Sequence, residues 1–400
     1  MSAPRLAFFS PVPPARTGIA SYVAGLLPLL PDAWEIEIFA AAAGDPLAGY
    51  PVHGLDEWAG RNAELPFDLN VYQVGNSPDH LPVLPHVLET PGLLVLHDVI
   101  LHPMRVAAFL DRQDLSGYRE ALTGTANAAA VAEVVAAGLG GPSIYWNFPL
   151  SGDLVRASRH TVVHGEMLAS WLRAEVPDAD IGSVPLWLPV PDADATGIAE
   201  WRAKLGASEQ TPLLGTFGHL GPEHRVDLVL AALADLAPEH DFRVVLVGSL
   251  DPAIEAAVER AASDGVLANR VTATGHVTDA DYGALLRAVD LGVNLRYPTA
   301  RAASGPLAQL LSVGTPAVIH DLVHQRDIPE PAVLRVPTGC CDEERAALRG
   351  VVRAWLEDTE LRVRAAETAG QFGAANVTPS ALAAGYERAV ERALGRPAVT

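Results

Sequence analysis

The chain has 400 residues, 49% of them hydrophobic, which is enough to bury two ordinary cores, so two domains are expected. Its formal net charge of −20 argues against a general nucleic-acid binder, because there is no basic field to draw in phosphates. Any phosphate ligand must therefore be held by a local pocket.

The opening MSAPRLAFFSPVPPARTG has only a short apolar run before its prolines, so no signal peptide is expected. Arg5 to Ser10 is the first expected strand, and Gly18 to Leu30 is helical, closed by Pro31. In the connecting turn PPARTGIASY, Gly18 stands where a backbone turns sharply or comes close to a ligand, with a helix N-terminus behind it to receive a phosphate. Trp34 to Ala40, Leu69 to Val74, Gly92 to Leu96 and Thr161 to His164 continue as strands. Helical patterns separate them, including two helices over 104–140 with Ala-rich stretches at 106–109 and 125–137. Continuous apolar runs alternating with helices indicate a parallel sheet covered on both faces. No run reaches the ~18 uninterrupted apolar residues of a membrane span. The segment LHDVILH places His97, Asp98 and His102 at a strand's carboxyl end, the edge where α/β sheets bind ligands.

Prolines and a polar tail in VPLWLPVPDADATG, residues 184–197, break the alternation and mark an interdomain linker. The pattern then restarts with strands at Pro212 to Phe217, Phe242 to Val247, Val271 to Thr274, Asp290 to Leu295, Ala317 to His320 and Val333 to Val336. GHLGPEHRVD follows the first of these strands and contains His219, His224 and Arg225, of which only the arginine carries a permanent charge. Gly275-His276-Val277 ends a strand. In NLRYPTARAASGPLAQLLSVGTP a small-residue loop ending at Ser304 and Gly305 feeds a helix through Leu307 and Gln309, and Gly314-Thr315-Pro316 stops it. The unpaired N–H groups of such a helix start suit a diphosphate. Arg296 and Arg301 are nearby cations. The two cysteines, Cys340 and Cys341, are adjacent and give no disulfide framework, which fits a reduced, cytoplasmic location. Abundant Ala, Arg, Gly and Pro with few Lys point to a bacterial source. There is no HExxH and no clustered His/Cys set, so no metal is expected.

The order and wording of PPARTGIASY, LHDVILH, GHLGPEHRVD and NLRYPTARAASGPLAQLLSVGTP resemble the family 4 glycosyltransferases, retaining enzymes of GT-B fold that use nucleotide-diphosphate sugars. The resemblance implies an α/β protein with two Rossmann-like, doubly wound parallel-sheet domains facing a central cleft. Residues 1–185 would bind the acceptor and 198–375 the nucleotide sugar, with 376–400 forming a helix that packs back on the first domain. It implies catalytic roles for His97, set against the donor sugar, and for Gly18 and Arg225. It places His219 and His224 where the family has an arginine and a lysine that clamp the diphosphate, with Arg296 as a substitute cation. The backbone around His276 would pass the base, while Ser304, Gly305 and Leu307 would meet the diphosphate and Gln309 the ribose.

Two departures stand out. Ala302 replaces a sugar-contacting glutamate, and His224 replaces the lysine. They favour an unusual or deoxygenated donor, with a small-molecule acceptor, in specialised-metabolite or cell-surface glycan biosynthesis. By the same resemblance the leaving diphosphate would deprotonate the acceptor as it attacks the front face, with no cofactor beyond the donor and no side-chain nucleophile. The alternatives are a non-catalytic partner or regulatory subunit that kept the fold, or an α/β enzyme of another class such as an epimerase. Homo-oligomerisation is left open.

Overall fold

The apolar runs form parallel strands because branched and aromatic residues occupy consecutive positions, and alternate residues then face opposite layers. The computed structural model describes residues 3–15, 17–123 and 142–395. The chain divides into two compact units. The first comprises the described parts of 1–188 and 379–400 together with 300–303, and the second comprises 189–299 and 304–378.

The first unit is built on an eight-stranded sheet of β1 (Arg5–Phe9), β2 (Glu35–Ala40), β3 (Gly44–Leu47), β4 (Tyr50–Gly54), β5 (Leu69–Val74), β6 (Leu93–Leu96), β7 (His160–His164) and β8 (Ile181–Val184). Their order is β3-β4-β2-β1-β5-β6-β7-β8, and every pairing is parallel except β3 with β4. Along β1, Leu6 and Phe8 point into one core layer with Ile36, Ile38, Val71 and Val95. Ala7 and Phe9 point into the other, with Phe39, Tyr72, Val74 and Leu94. The closing helix, Pro379–Ala393, buries Leu382, Tyr386, Ala389 and Val390 in the first of these layers. Each such large apolar side chain contributes roughly 1.5–3 kcal/mol relative to exposure.

The second unit carries β9 (Leu213–Phe217), β10 (Arg243–Val247), β11 (Val271–Gly275), β12 (Leu291–Asn294), β13 (Ala317–His320) and β14 (Val333–Val336). All pair in parallel, in the order β11-β10-β9-β12-β13-β14. Leu214, Val244, Leu246, Leu291 and Val318 face a layer that includes Trp355, while Leu213, Val245, Val247 and Leu310 face the other. Two doubly wound parallel sheets are therefore present, as the alternation of runs implies.

Some local expectations need correcting. The helix from Gly18 becomes a 3-10 turn at Leu27–Leu29, because Pro28 has no N–H to continue the α-helical pattern. Strands β3, β4 and β8 carry no long apolar run and escape a reading based on such runs. The helix expected at 125–137 lies outside the described residues.

Candidate functional site

In the first sheet the order reverses between β1 and β5, so the connections that leave their carboxyl ends run to opposite sides, the arrangement at which α/β sheets bind ligands. Gly75 follows β5, and a Cβ on it would lie 2.5 Å from Ile19 Cδ1 and 2.9 Å from Asp98 Oδ2, so any larger residue would have to displace those side chains. Asp98 Oδ2 accepts the Asn76 N–H at 2.7 Å. Gly18 differs from Gly75. It is the first residue of the opening helix, behind the Thr17 N-cap, and a Cβ on it would meet nothing within 4 Å. The sharp turn expected at Gly18 is absent, and the exposed position leaves open space instead.

His97, just beyond β6, lies within a buried polar chain. Its Nδ1 is 3.0 Å from His164 Nε2, and its Nε2 is 2.8 Å from the Gln73 side-chain amide. Gln73 in turn meets Tyr386 of the closing helix at 3.1 Å, and Tyr386 meets the Tyr22 hydroxyl at 3.2 Å. The far end is a carbonyl: His164 Nδ1 lies 3.4 Å from Val184 O and must donate to it. His164 Nε2 then accepts from His97 Nδ1–H, and every member is satisfied when the Gln73 amide turns its N–H to His97 and its oxygen to Tyr386. Burial keeps both rings neutral, pushing His97 well below the usual imidazole range and His164 down to about 4. Both His97 nitrogens have internal partners, so a bond to a sugar hydroxyl would require an exchange of partners. His102 is structural, with Nδ1–H donating to Phe148 O and Nε2 accepting from Tyr118 Oη, each at 2.7 Å.

The segment 300–303 packs within this same unit. The Ile100 N–H donates to Ala300 O at 2.9 Å, Ala302 forms a backbone bridge with Asp98, and the Arg301 guanidinium lies 3.9 Å from the centre of the Trp171 ring.

The second sheet reverses its order between β9 and β12. Gly218 leaves β9 with φ +118°, a conformation suited to glycine, and a Cβ there would lie 3.5 Å from Pro306 Cγ. The end of β9 is thus beside the start of the Gly305–Ser312 helix. In that first turn the Ser304 hydroxyl accepts the Leu307 N–H at 3.3 Å. Pro306 has no N–H, so Leu307 is already capped and the Gly305 N–H is the donor that remains for a ligand. This narrows the expectation that placed Leu307 at a diphosphate.

His224 is 3% exposed, its Nδ1 accepts the Gly221 N–H at 3.1 Å, and its Nε2 is enclosed without a partner. The Glu223 carboxylate lies 3.1 Å from the same Nδ1, but the amide hydrogen is fixed in place and makes Nδ1 the acceptor. The ring is turned inward, so it does not present a clamp where the family has its lysine. Arg225 follows in the left-handed region, with φ 53° and ψ 34°. Its Nη2 donates to Glu344 Oε2 at 3.1 Å, and the other oxygen of that fully buried carboxylate accepts from His320 Nε2 at 2.7 Å. His320 Nδ1 accepts the Arg296 N–H at 3.1 Å, which puts the histidine proton on Nε2. The Tyr297 N–H donates to Glu223 O at 2.8 Å, so the loops after β9, β12 and β13 are tied together.

His219 and His276 are exposed, the first with Nδ1 2.9 Å from Ser249 Oγ. Gln309 is only 8% exposed; its Oε1 accepts from Tyr282 Oη at 2.9 Å and its Nε2 donates to Pro189 O at 2.7 Å. A glutamate here would set a carboxylate oxygen against that carbonyl, which is a local reason for the amide.

Residues 197–372 match the family described as Glycosyl transferases group 1. That match spans most of the second unit. Solved structures match nearly the whole chain. Sucrose-phosphate synthase from Thermosynechococcus elongatus is 16% identical with a TM-score of 0.67, over 95% of this chain and 96% of its own. HepE from Anabaena, solved with UDP, is 14% identical with a TM-score of 0.67, over 95% and 97%. The catalytic domain of starch synthase IV from Arabidopsis thaliana, bound to ADP and acarbose, is 14% identical with a TM-score of 0.64, over 99% and 100%. At these identities the likeness is one of fold, and it shows the chain to be GT-B. No curated protein matches.

Among the described residues no group of three or more His, Cys, Asp or Glu could hold a metal ion, and no helix is long and apolar enough to cross a membrane. The sequence reading missed Gln73, His164, Tyr386, Tyr282 and Glu344. Of these, only His164 carried a signal, a histidine at the carboxyl end of an expected strand.

Proposed function

We propose that this protein is a glycosyltransferase that moves a sugar from a nucleoside-diphosphate donor to a small-molecule acceptor. The observation that carries the reading is the order reversal between β9 and β12, with Gly218 and the Gly305 helix start at its carboxyl edge, in a unit that matches a glycosyl transferase family. That arrangement gives a diphosphate a close backbone approach and a positive helix end. Arg225 and Arg296 supply the fixed charge at the same edge. UDP bound to HepE and ADP bound to starch synthase IV, proteins of the same fold, support a nucleotide ligand.

In our reading, as in the family the sequence resembles, the sugar keeps its anomeric configuration. The acceptor oxygen attacks the anomeric carbon from the side of the departing diphosphate. The bond from that carbon to the diphosphate oxygen breaks, and the diphosphate takes the acceptor proton. The inward His224 and the Ala302 substitution favour a donor other than a common hexose, in specialised-metabolite or cell-surface glycan biosynthesis within the cytoplasm.

Thermal-shift titration with UDP, GDP, dTDP and ADP tests the nucleotide reading, because a ligand of the folded state raises the apparent midpoint. At least one should do so, and no response to any of the four would remove the reading's support. Donor panels with NMR of the product's anomeric centre then test transfer and retention. A second reading, a GT-B subunit without turnover, is favoured by the internal partners of His97, Leu307 and Gln309. Nucleotide binding without transfer or donor hydrolysis across the panel would select it.

A further inference from the structure

Arg225 occupies a backbone position that suits glycine. With φ 53° and ψ 34°, a side chain there costs roughly 1–2 kcal/mol, and non-glycine residues adopt this region uncommonly. The turn itself needs no arginine, since glycine would make it without strain. The strain is accompanied by a second costly feature, a carboxylate taken wholly out of water. Glu344 lies in the first turn of the Cys341–Glu357 helix and is 1% exposed. It is held between Arg225 Nη2 at 3.1 Å and His320 Nε2 at 2.7 Å. His320 has one donor and one acceptor committed, because its Nδ1 takes the Arg296 N–H at 3.1 Å. The histidine therefore cannot neutralise the carboxylate without losing the Arg296 contact, and the guanidinium is the charge that balances it. The Arg225 side chain is 20% exposed while that of Glu344 is 0% exposed, so one end of the pair reaches the surface and the other is fixed in the interior.

We propose that Glu344 is a positioning residue that aims the Arg225 guanidinium at the diphosphate of the nucleotide, and, through His320, holds the Arg296 strand end in register with it. The inference rests on the nucleotide reading above. Glu344 touches no ligand. It works by tying β9, β12 and β13 together at the edge where the sheet order reverses. One Glu344 oxygen, with Cys341 Sγ 3.7 Å away, holds Nη2 and sets the direction of the guanidinium; Nε is buried, so the Nη1 N–H groups are the ones offered to phosphate oxygens. Glutamine at 344 keeps the bond from His320 but turns an N–H toward Arg225, so the guanidinium is pushed off its line.

The test is isothermal titration of the full chain with the tightest-binding of UDP, GDP, dTDP and ADP, and with the matching phosphate-free nucleoside. Glu344→Gln should weaken the diphosphate about tenfold, the size of one charged hydrogen bond, and leave the nucleoside affinity unchanged. In an Arg225→Ala background the same change should cost nothing further. Equal weakening of nucleoside and diphosphate, or full additivity with Arg225→Ala, would reduce Glu344 to a structural residue and overturn the proposal. So would an unchanged diphosphate affinity. If Glu344→Gln does not fold, Glu344→Asp keeps the charge, and it should show a smaller loss confined to the diphosphate. A wild-type chain that binds none of the four nucleotides refutes the nucleotide reading itself, which is a separate failure.

Discussion

The carboxyl edges of the two sheets are built from the same architecture but hold different chemistry. In the first unit a buried chain runs from Tyr22 through Tyr386, Gln73, His97 and His164 to the Val184 carbonyl, and burial keeps both of its imidazoles neutral. In the second unit the buried group is a carboxylate, balanced by a guanidinium that reaches the surface. A neutral chain needs no counter-charge, but it commits every ring nitrogen and is exposed to acid. A balanced ion pair keeps its arginine charged at any physiological pH and leaves donors for a ligand. The difference teaches that matching folds do not imply matching electrostatics: the first unit buries a neutral chain and the second a carboxylate paired with a guanidinium.

Acid should give the largest separation between the two. Burial is the first cause that holds His80, His102 and His164 down to about 4, against an ordinary value of 6.5. Their folded values are depressed, so below 6.5 the unfolded chain binds more protons and stability falls as pH drops toward 4. At pH 5 each should cost the first unit on the order of 2 kcal/mol. Native-state hydrogen exchange at pH 7 and pH 5 resolves this unit by unit. Faster opening of the second unit than of the first would break the comparison.

An added charge should act next most strongly. Gln309→Glu sets a buried carboxylate against Pro189 O, 2.7 Å from the present amide nitrogen, and should cost roughly 2–3 kcal/mol in urea unfolding of the second unit. An unchanged midpoint would mean the amide was not needed. The smallest effect on stability belongs to Gly18→Ala. The added methyl meets nothing within 4 Å, so stability should move by less than about 0.5 kcal/mol while transfer falls. Undiminished turnover would leave this glycine without a role.

Local chemistry explains what could be read from the sequence. Leu69 to Val74, Ala317 to His320 and Val333 to Val336 were legible to the residue, because short stretches rich in branched and apolar residues between turn signals read as strands even where Asn70, Gln73 or Arg335 interrupts them. Strands β3 and β4 were not legible: Pro46 and Pro51 interrupt them, and β3 is the sheet's edge strand, where polar residues are tolerated. Motifs at strand ends drew attention to His97, Arg225 and the Gly305 helix start. The partners that decide what those residues can do were hidden. Tyr386 is 313 positions from Gln73 and Glu344 is 119 from Arg225, so only folding brings them together. His224 shows the converse, a residue aligned with a clamp but turned inward by an acceptor bond to its own turn.

The residues 300–303 belong to the first unit although the sequence on either side belongs to the second. Neither unit is a contiguous piece of the gene product. A recombination event that exchanged one block at the linker would split both, stranding the closing helix with its Tyr386 and importing a foreign loop opposite Asp98 and Ile100. Grafting of the second unit therefore has to leave the four-residue excursion and the last helix with the first unit as matched parts. A chimera joined only at residue 188 should be expected to lose the pairing of residues 300–303 with Asp98 and Ile100.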